Sequence, residues 1–511
     1  MTIASIDSRA ILGMESPTVS VEVHVSNGLP ALSLVGLPET SVKESRDRVR
    51  SALISSGFEL PPKRITVNLA PADLPKAGGR YDLPIAIGIL VATNQLKITN
   101  LTDYEAYGEL GLSGEVRSIS GSIASTLESL AAGKKAIVPR ENSAEVELLL
   151  DTKPEIAGRI FLVNNLKEAC KVLLDEFEPV RLDNRVHSLK PVFYHQDIGD
   201  VVGQQQAKRA LEICASGEHS ILLVGPPGAG KSMLASRLVT ILPELSADEA
   251  IEVAKIRSIS GVAVENEEFY CRPYMQPHHS ASAAAIIGGG TYPKPGALSL
   301  SHKGVLFLDE LPEFSRPVLE ALREPLETKE VHVSRVNQHV TYPADHLLVA
   351  AMNPSPSGYF PDDPLGRCKD TPEQISRYQK RISGPLIDRI DLHLEVPAVE
   401  IKDLSAKKSG DHESSYDIRQ RVRSVRDTQL NRQGCFNSNL LGDDLTEHCR
   451  LDSEGENLIE KAAKNLGLSA RSYHKILRVA RTVADMEDSQ FIKAHHLAEA
   501  LSYRATSKAF Q

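Results

Sequence analysis

The sequence predicts an α/β fold: a parallel sheet with helices on both faces, built around a phosphate-binding loop. Three observations carry that reading. The run Gly225-Pro226-Pro227-Gly228-Ala229-Gly230-Lys231-Ser232 matches G-x-x-x-x-G-K-[ST] in full, with an apolar run over 220–224 before it and a helical pattern over 233–242 after it. The runs 304–308 and 346–352 are almost continuously apolar, as strands buried on both faces of a parallel sheet are. Two carboxylates, Asp309 and Glu310, follow the first of these runs, where open α/β sheets gather their ligands.

An N-terminal region of different character precedes this core. Val19, Val21, Val23 and Val25 alternate with Ser20, Glu22 and His24 and lead into Asn27-Gly28, which predicts a strand entering a tight hairpin. Residues 39–56 read as a helix with Val42, Val49 and Leu53 on one side, and residues 64–70 as a second alternating strand. Residues 81–92 read as a buried helix with Pro84 near its start. These elements predict an α+β domain over 1–175, followed by a proline- and charge-containing linker over 176–197.

The middle region, 198–400, holds the chemistry. Glycines let the loop amides turn toward phosphates, and the N-terminus of the next helix adds a favourable dipole. Lys231 is placed to reach the β- and γ-phosphates, and the Ser232 hydroxyl to ligate Mg²⁺. Asp309 would hold the same Mg²⁺, and Glu310 would polarise the attacking water, so ATP and Mg²⁺ are the expected cofactors. Asn353, at the end of the 346–352 run, has two readings: an amide that bonds the water and the γ-phosphate, or a turn cap before Pro354. Arg389, flanked by Asp388 and Asp391, reads as a surface ion pair or as an arginine finger completing a neighbouring subunit's site. Residues 331–342 alternate on either side of Asn337-Gln338 and predict a hairpin. The adjacent His278 and His279 lack partners at ligand spacing and read as part of a structural or pore-facing loop.

The C-terminal region, 401–511, opens on a polar linker (405–415) and continues as helices. Ile418, Val422 and Val425 share one stripe with Arg419, Arg423 and Arg426 alongside. These arginines read first as a solvated basic face and second as a nucleic-acid contact. Ser469 is placed to cap a helix carrying Arg471, Arg478 and Arg481, and a last helix over 495–503 closes the bundle.

A net charge of −9 argues against a blanket affinity for nucleic acid, leaving room for a local basic groove or a channel shared among subunits. Cysteines 170, 214, 271, 368, 435 and 449 show no paired spacing, which argues against a disulfide framework. The longest clean apolar run, 83–93, is too short for a bilayer, and no basic segment leads into an apolar core at the N-terminus. No membrane partner and a cytoplasmic location are therefore expected.

Several stretches resemble the AAA+ ATPases of the magnesium-chelatase-related group, specifically the YifB/ComM family. They are 276–282 (Gln-Pro-His-His-Ser-Ala-Ser), 286–290 (Ile-Ile-Gly-Gly-Gly), 304–314 and 383–393, and the likeness runs across essentially the whole chain. The resemblance implies an ATP-hydrolysing ring, a hexamer, with a C-terminal helical lid. It also implies Asn353 as sensor 1, Arg389 as the trans finger and Arg471 as the sensor-2 arginine, with Arg478 and Arg481 as alternatives. The 331–342 hairpin becomes a pre-sensor hairpin able to point into the ring's pore and touch a threaded polymer, or, for any individual residue including Arg335, a plain extension of the sheet. Residues 65–73 and 112–117 resemble the family's N-terminal domain, which is similar in fold to the Lon-type protease domain (S5-like). Gly78-Gly79-Arg80-Tyr81-Asp82 and Gly121-Ser122-Ile123 stand where the protease has its serine and lysine, so a non-catalytic scaffold or DNA-contacting collar is expected.

One departure concerns a zinc-binding insert of many relatives. Residues 353–358 and 367–370 keep a single cysteine, Cys368, of four sulfur positions, so no zinc is expected and Ser, Asp and Tyr359 should fix the loop by hydrogen bonds. ComM-like relatives are similar to ring helicases that drive branch migration during natural transformation. A DNA-remodelling motor is therefore expected ahead of a chelatase- or MoxR-like motor acting on a protein client, with an ATP-dependent protease last.

Overall fold

The computed structural model describes residues 2–36, 40–98, 100–180, 194–290, 293–335, 338–361, 363–398, 413–466 and 468–504. Glu39, Asn337, most of the linker over 176–197 and most of the linker over 405–415 lie outside the described residues. The chain packs as two compact units. One comprises 1–191, 246–270 and 336–341; the other comprises 192–245, 271–335 and 342–511.

The first unit is built on a seven-stranded sheet of β1 (Thr2–Arg9), β2 (Thr18–Ser26), β3 (Ala31–Val35), β4 (Arg64–Ala70), β5 (Tyr104–Ala106), β6 (Lys135–Pro139) and β7 (Ile160–Val163), in the order β3-β4-β2-β1-β5-β6-β7. The alternation in β2 does what its period requires: Val19, Val21, Val23 and Val25 all point into the core. Helix α1 (Thr40–Ser55) buries Val49 and Leu53. Helix α2 (Asp82–Ala92) is apolar nearly all round, so it is buried along its length, against β1 and β2. Its Gly88 permits that approach, since a Cβ there would stand 2.6 Å from Val23 Cγ2.

The hairpin expected at Asn27-Gly28 does not form. β2 is already paired antiparallel on both sides, by β1 and β4, so β3 has no free edge beside it and pairs parallel with β4, Leu32 opposite Ile65. The hairpin present joins β1 to β2 instead, closed by Ala10 N–H to Pro17 O at 2.9 Å. The helix Ala247–Ser260 packs with the first unit, where Ile251, Ala254, Val264 and Phe269 share a cluster with Ile123, Val146 and Leu149.

Further along the chain come β8 (Ile221–Val224), β9 (Tyr274–Met275), β10 (Val305–Leu308), β11 (Glu330–Arg335), β12 (Gln338–Pro343), β13 (Leu347–Met352) and β14 (Leu392–Glu395). Five of these form one parallel sheet in the order β9-β10-β13-β8-β14. β8, β10 and β13 are buried throughout, as their unbroken apolar composition requires. Helices α3 (Gln205–Gly217) and α4 (Lys231–Ile241) flank β8 in the chain, and the C-terminal helices include α5 (Ser415–Gln433) and α6 (Ala470–Met486).

The stripe Ile418, Val422, Val425 is buried, and of the arginines beside it Arg423 is exposed as expected whereas Arg419 and Arg426 are not part of a solvated face. Arg419 donates through Nε and Nη2 to Thr240 O (3.0 and 2.7 Å), and Arg426 Nε donates to Ala215 O at 2.7 Å; both arginines are buried. Those carbonyls lie in the last turns of α4 and α3, where helix acceptors lack intrahelical donors and the dipole favours a cation. Arg423 pairs with Glu244. No helix among the described residues is long and apolar enough to cross a membrane.

A buried ion pair joins α6 to the start of β14: Lys475 Nζ lies 2.7 Å from Asp391 Oδ1. Burial pushes Lys475 down to about 8 against the pull of Asp391. Burial alone would raise Asp391, but Lys475 and His219 overcome it and hold the carboxyl well below its ordinary range. Removing one partner of such a pair strands a buried charge, so Lys475→Ala should destabilise the second unit by about 3–5 kcal/mol in denaturant titrations.

Burial beside the Arg504 and Lys475 charges also pushes His393 from its ordinary 6.5 down to about 3. Between those values the unfolded chain binds a proton that the folded chain refuses, so stability should fall as pH drops through 6.5, by roughly 2–3 kcal/mol at pH 4.5. Unfolding midpoints measured against pH should show this slope, and His393→Leu should flatten it.

Candidate nucleotide site

β8 ends at Val224 and the glycine loop begins. Gly228 and Gly230 take left-handed backbone, φ 77° and 86°, so the turn closes without Cβ strain. Gly225 is needed for space, because a Cβ there would meet Val396 O at 2.3 Å. The loop delivers Lys231 into the first turn of α4. Its ammonium donates to Gly225 O (2.6 Å), Pro226 O (3.0 Å) and Asn353 Oδ1 (3.1 Å). Burial lowers the Lys231 pKa, while the Asp309 and Glu310 carboxylates pull the other way.

Sheet register places the remaining groups. Val224 lies opposite Met352 and Leu308 opposite Ala350, so the residues following β8, β10 and β13 emerge on one edge. Ser232 Oγ donates to Asp309 Oδ2 at 2.8 Å, and Asp309 Oδ1 accepts from Glu310 N–H at 2.9 Å. A hydroxyl and a carboxylate this close form the hard oxygen set that suits Mg²⁺, so the residues fit that ion. Glu310 sits at φ 52°, a left-handed conformation that costs a residue with a side chain and that clusters at functional sites. Its carboxylate faces the His279 imidazole, with Nδ1 3.1 Å from Oε2.

Lys231, Ser232, Asp309 and Asn353 are thus brought together, with Glu310 directly beside Asp309. Arg389 and Arg471 pair elsewhere, both with Glu327. Arg481, an alternative to Arg471, is committed to Asp485 at 2.8 Å and to the carbonyls of Ser489 and Gln490. His279 is the residue that sequence reasoning assigned differently. Only the ladder finds it: β9 pairs with β10, Met275 opposite Leu306, so the segment after β9 runs beside the end of β10.

In the 354–371 segment, Ser355 Oγ donates to Tyr359 O (2.7 Å), Ser357 N–H donates to Asp370 (2.7 Å), and Cys368 Sγ lies 3.8 Å from Ser357 Oγ. Arg367 stacks over the Tyr359 ring at 4.2 Å. Hydrogen bonds from Ser and Asp therefore hold this loop, and Tyr359 contributes its carbonyl and its ring. Elsewhere among the described residues, Glu487, His495 and His496 lie close enough to share a cation. Lys493 N–H donates to His496 Nδ1, which leaves the proton on Nε2, directed at Glu487; the group is a hydrogen-bonded helix cap.

A glycine loop on a parallel sheet, a lysine within it, and a serine–aspartate pair beside a strand-end glutamate define an ATPase site of the AAA+ type. Three family descriptions match the chain in turn: "Subunit ChlI of Mg-chelatase" over 21–142, "Magnesium chelatase, subunit ChlI" over 197–404, and "Magnesium chelatase, subunit ChlI C-terminal" over 412–504. The chain is 47% identical over 508 residues to the YifB protein of Escherichia coli (strain K12), covering 99% of this chain and 98% of that one. It is 46% identical over 512 residues to Competence protein ComM of Haemophilus influenzae, covering 100% of this chain and 99% of that one. A shorter match, 29% identical over 160 residues, is to the Magnesium-chelatase 67 kDa subunit of Chlorobaculum parvum, covering 30% of this chain and 23% of that protein. The chain belongs to the YifB/ComM family of magnesium-chelatase-related AAA+-type ATPases.

Glu310→Gln should lower ATP turnover by at least about 100-fold while nucleotide binding persists, the signature of a lost general base. Lys231→Ala should abolish both. A coupled turnover assay with a fluorescent-ATP titration separates the two, and normal turnover by Glu310→Gln would remove that residue from the chemistry.

Proposed function

We propose that this chain is an ATP-hydrolysing ring motor, a hexamer acting in the cytoplasm, that remodels DNA as a branch-migration helicase in recombination or natural transformation. The observation that carries the hydrolytic part is the Lys231–Asn353 and Ser232–Asp309 pairing on one sheet edge, with Glu310 alongside. Lys231 neutralises phosphate charge, and Ser232 with Asp309 would hold Mg²⁺, which supplies charge neutralisation across the phosphates. Glu310 takes up proton density from the attacking water, and Asn353, tied to Lys231, reports the state of the γ-phosphate as sensor 1. Arg389 completes the neighbouring subunit's site, a contribution of about 10³–10⁵ in rate for an arginine finger, and Arg471 serves its own subunit's nucleotide as sensor 2.

Full-length likeness to a protein named for competence supports DNA as the polymer. Arg419 and Arg426 are spent on helix ends, and the exposed Arg421 and Arg423 of α5 pair with Glu212, Glu413 and Glu244. The β11–β12 hairpin is the better candidate for contact with a threaded strand. The first unit acts as a non-catalytic, Lon-protease-like collar. Arg80, in the segment that stands where the protease has its serine, donates to Ser120 O, to Ser125 Oγ (3.3 Å) and to Arg9 O (3.0 Å). An arginine locked to carbonyls supplies neither nucleophile nor base.

Purified protein should hydrolyse ATP faster with single-stranded DNA or four-way junctions than alone. The stimulation should vanish in Lys231→Ala and weaken steeply with salt, because phosphate contacts release counterions. Turnover indifferent to every DNA would assign the motor to a protein client instead.

A further inference from the structure

Glu327 lies in the short helix Pro325–Thr328, immediately before Lys329, whose left-handed backbone (φ 58°) turns the chain into β11. Its two carboxylate oxygens serve two different arginines. Oε2 lies 2.9 Å from Arg389 Nη2, and Oε1 pairs with Arg471 Nη2. The other donors of Arg389 are taken as well: Nε by Arg323 O at 3.0 Å and Nη1 by Pro385 O at 2.7 Å. Its side chain is 12% exposed, so the guanidinium is folded back onto its own subunit. Arg471 comes from the first turn of α6 and is 45% exposed, as is 41% of Glu327.

We propose that Glu327 is a positioning residue for ATP hydrolysis: it holds Arg389 and Arg471 in a resting arrangement that competes with their contacts to phosphate. The inference rests on the ATPase reading above and assigns regulation to the same site. One turn beyond Arg471, Lys475 is pinned to Asp391, a buried pair that keeps α6 attached to the segment carrying Arg389. The frame therefore stays fixed while the two guanidinium groups change partner. A half-exposed carboxylate holds the half-exposed Arg471 guanidinium by a factor of only about two to five, weak enough for a polyphosphate to displace it. Any state in which Glu327 keeps Arg471 reduces apparent nucleotide affinity by the fraction of chains so held.

The test is a titration of the full chain with fluorescent ATP and Mg²⁺, with ATP turnover followed in parallel. Glu327→Gln keeps the shape and removes the charge. It should tighten nucleotide binding by about two- to fivefold, and that tightening should disappear when Arg471→Ala is already present. It should also lower the protein concentration at which turnover is half-maximal, because Arg389 loses its charged partner and is held only by the Arg323 and Pro385 carbonyls. Weaker binding in Glu327→Gln, or equal tightening with and without Arg471, would overturn the proposal. Binding that needs Lys231 but ignores Glu327 would remove this role alone. Binding and turnover unchanged by Lys231→Ala would remove the ATPase reading and this role with it.

Discussion

The second unit depends on the register of three adjacent parallel strands. β10, β13 and β8 are paired so that each ends at the same edge, and each is followed at once by a polar residue or the glycine loop. Strands buried on both faces cannot slip without exposing apolar side chains or breaking ladder bonds. Core packing therefore fixes the separation of Lys231, Ser232, Asp309 and Asn353 far more rigidly than loops could. Glu310 tolerates a left-handed backbone on this platform because its neighbours on both sides are held.

Cations in this unit are used mainly inside it. Arg419 and Arg426 satisfy helix-end carbonyls, Arg481 and Arg432 share Asp485, and Lys475 answers Asp391. A guanidinium is suited to such duty because its donors are fixed in a planar fork and its charge persists on burial. The overall charge of −9 thus says little about where a polyanion would be met.

The phosphate loop, the strand-end carboxylates and the capped helix at Ser469 were legible in the sequence because each is a local pattern with a local cause. What was misread depends on distant pairing. Asn27-Gly28 has good turn chemistry, yet β2 was already occupied on both edges. His279 carries no spacing signal, and only the β9–β10 ladder brings it to Glu310. Arg419 and Arg426 looked like part of a surface stripe, since periodicity reports which side a residue lies on and not whether a helix end waits there.

The helix Ala247–Ser260 carries a consequence for biosynthesis. The first unit's cluster around Val146 and Leu149 includes Ile251, Ala254 and Phe269, residues that follow the phosphate loop in the chain. On the ribosome, where synthesis runs at about 5–20 residues per second, that cluster stays open until Phe269 has emerged. By then the whole of β8, the loop and α4 has already left the tunnel's entrance. Folding cannot proceed as two finished beads on a string, and a gene cut at the apparent boundary would deprive the first unit of part of its interior.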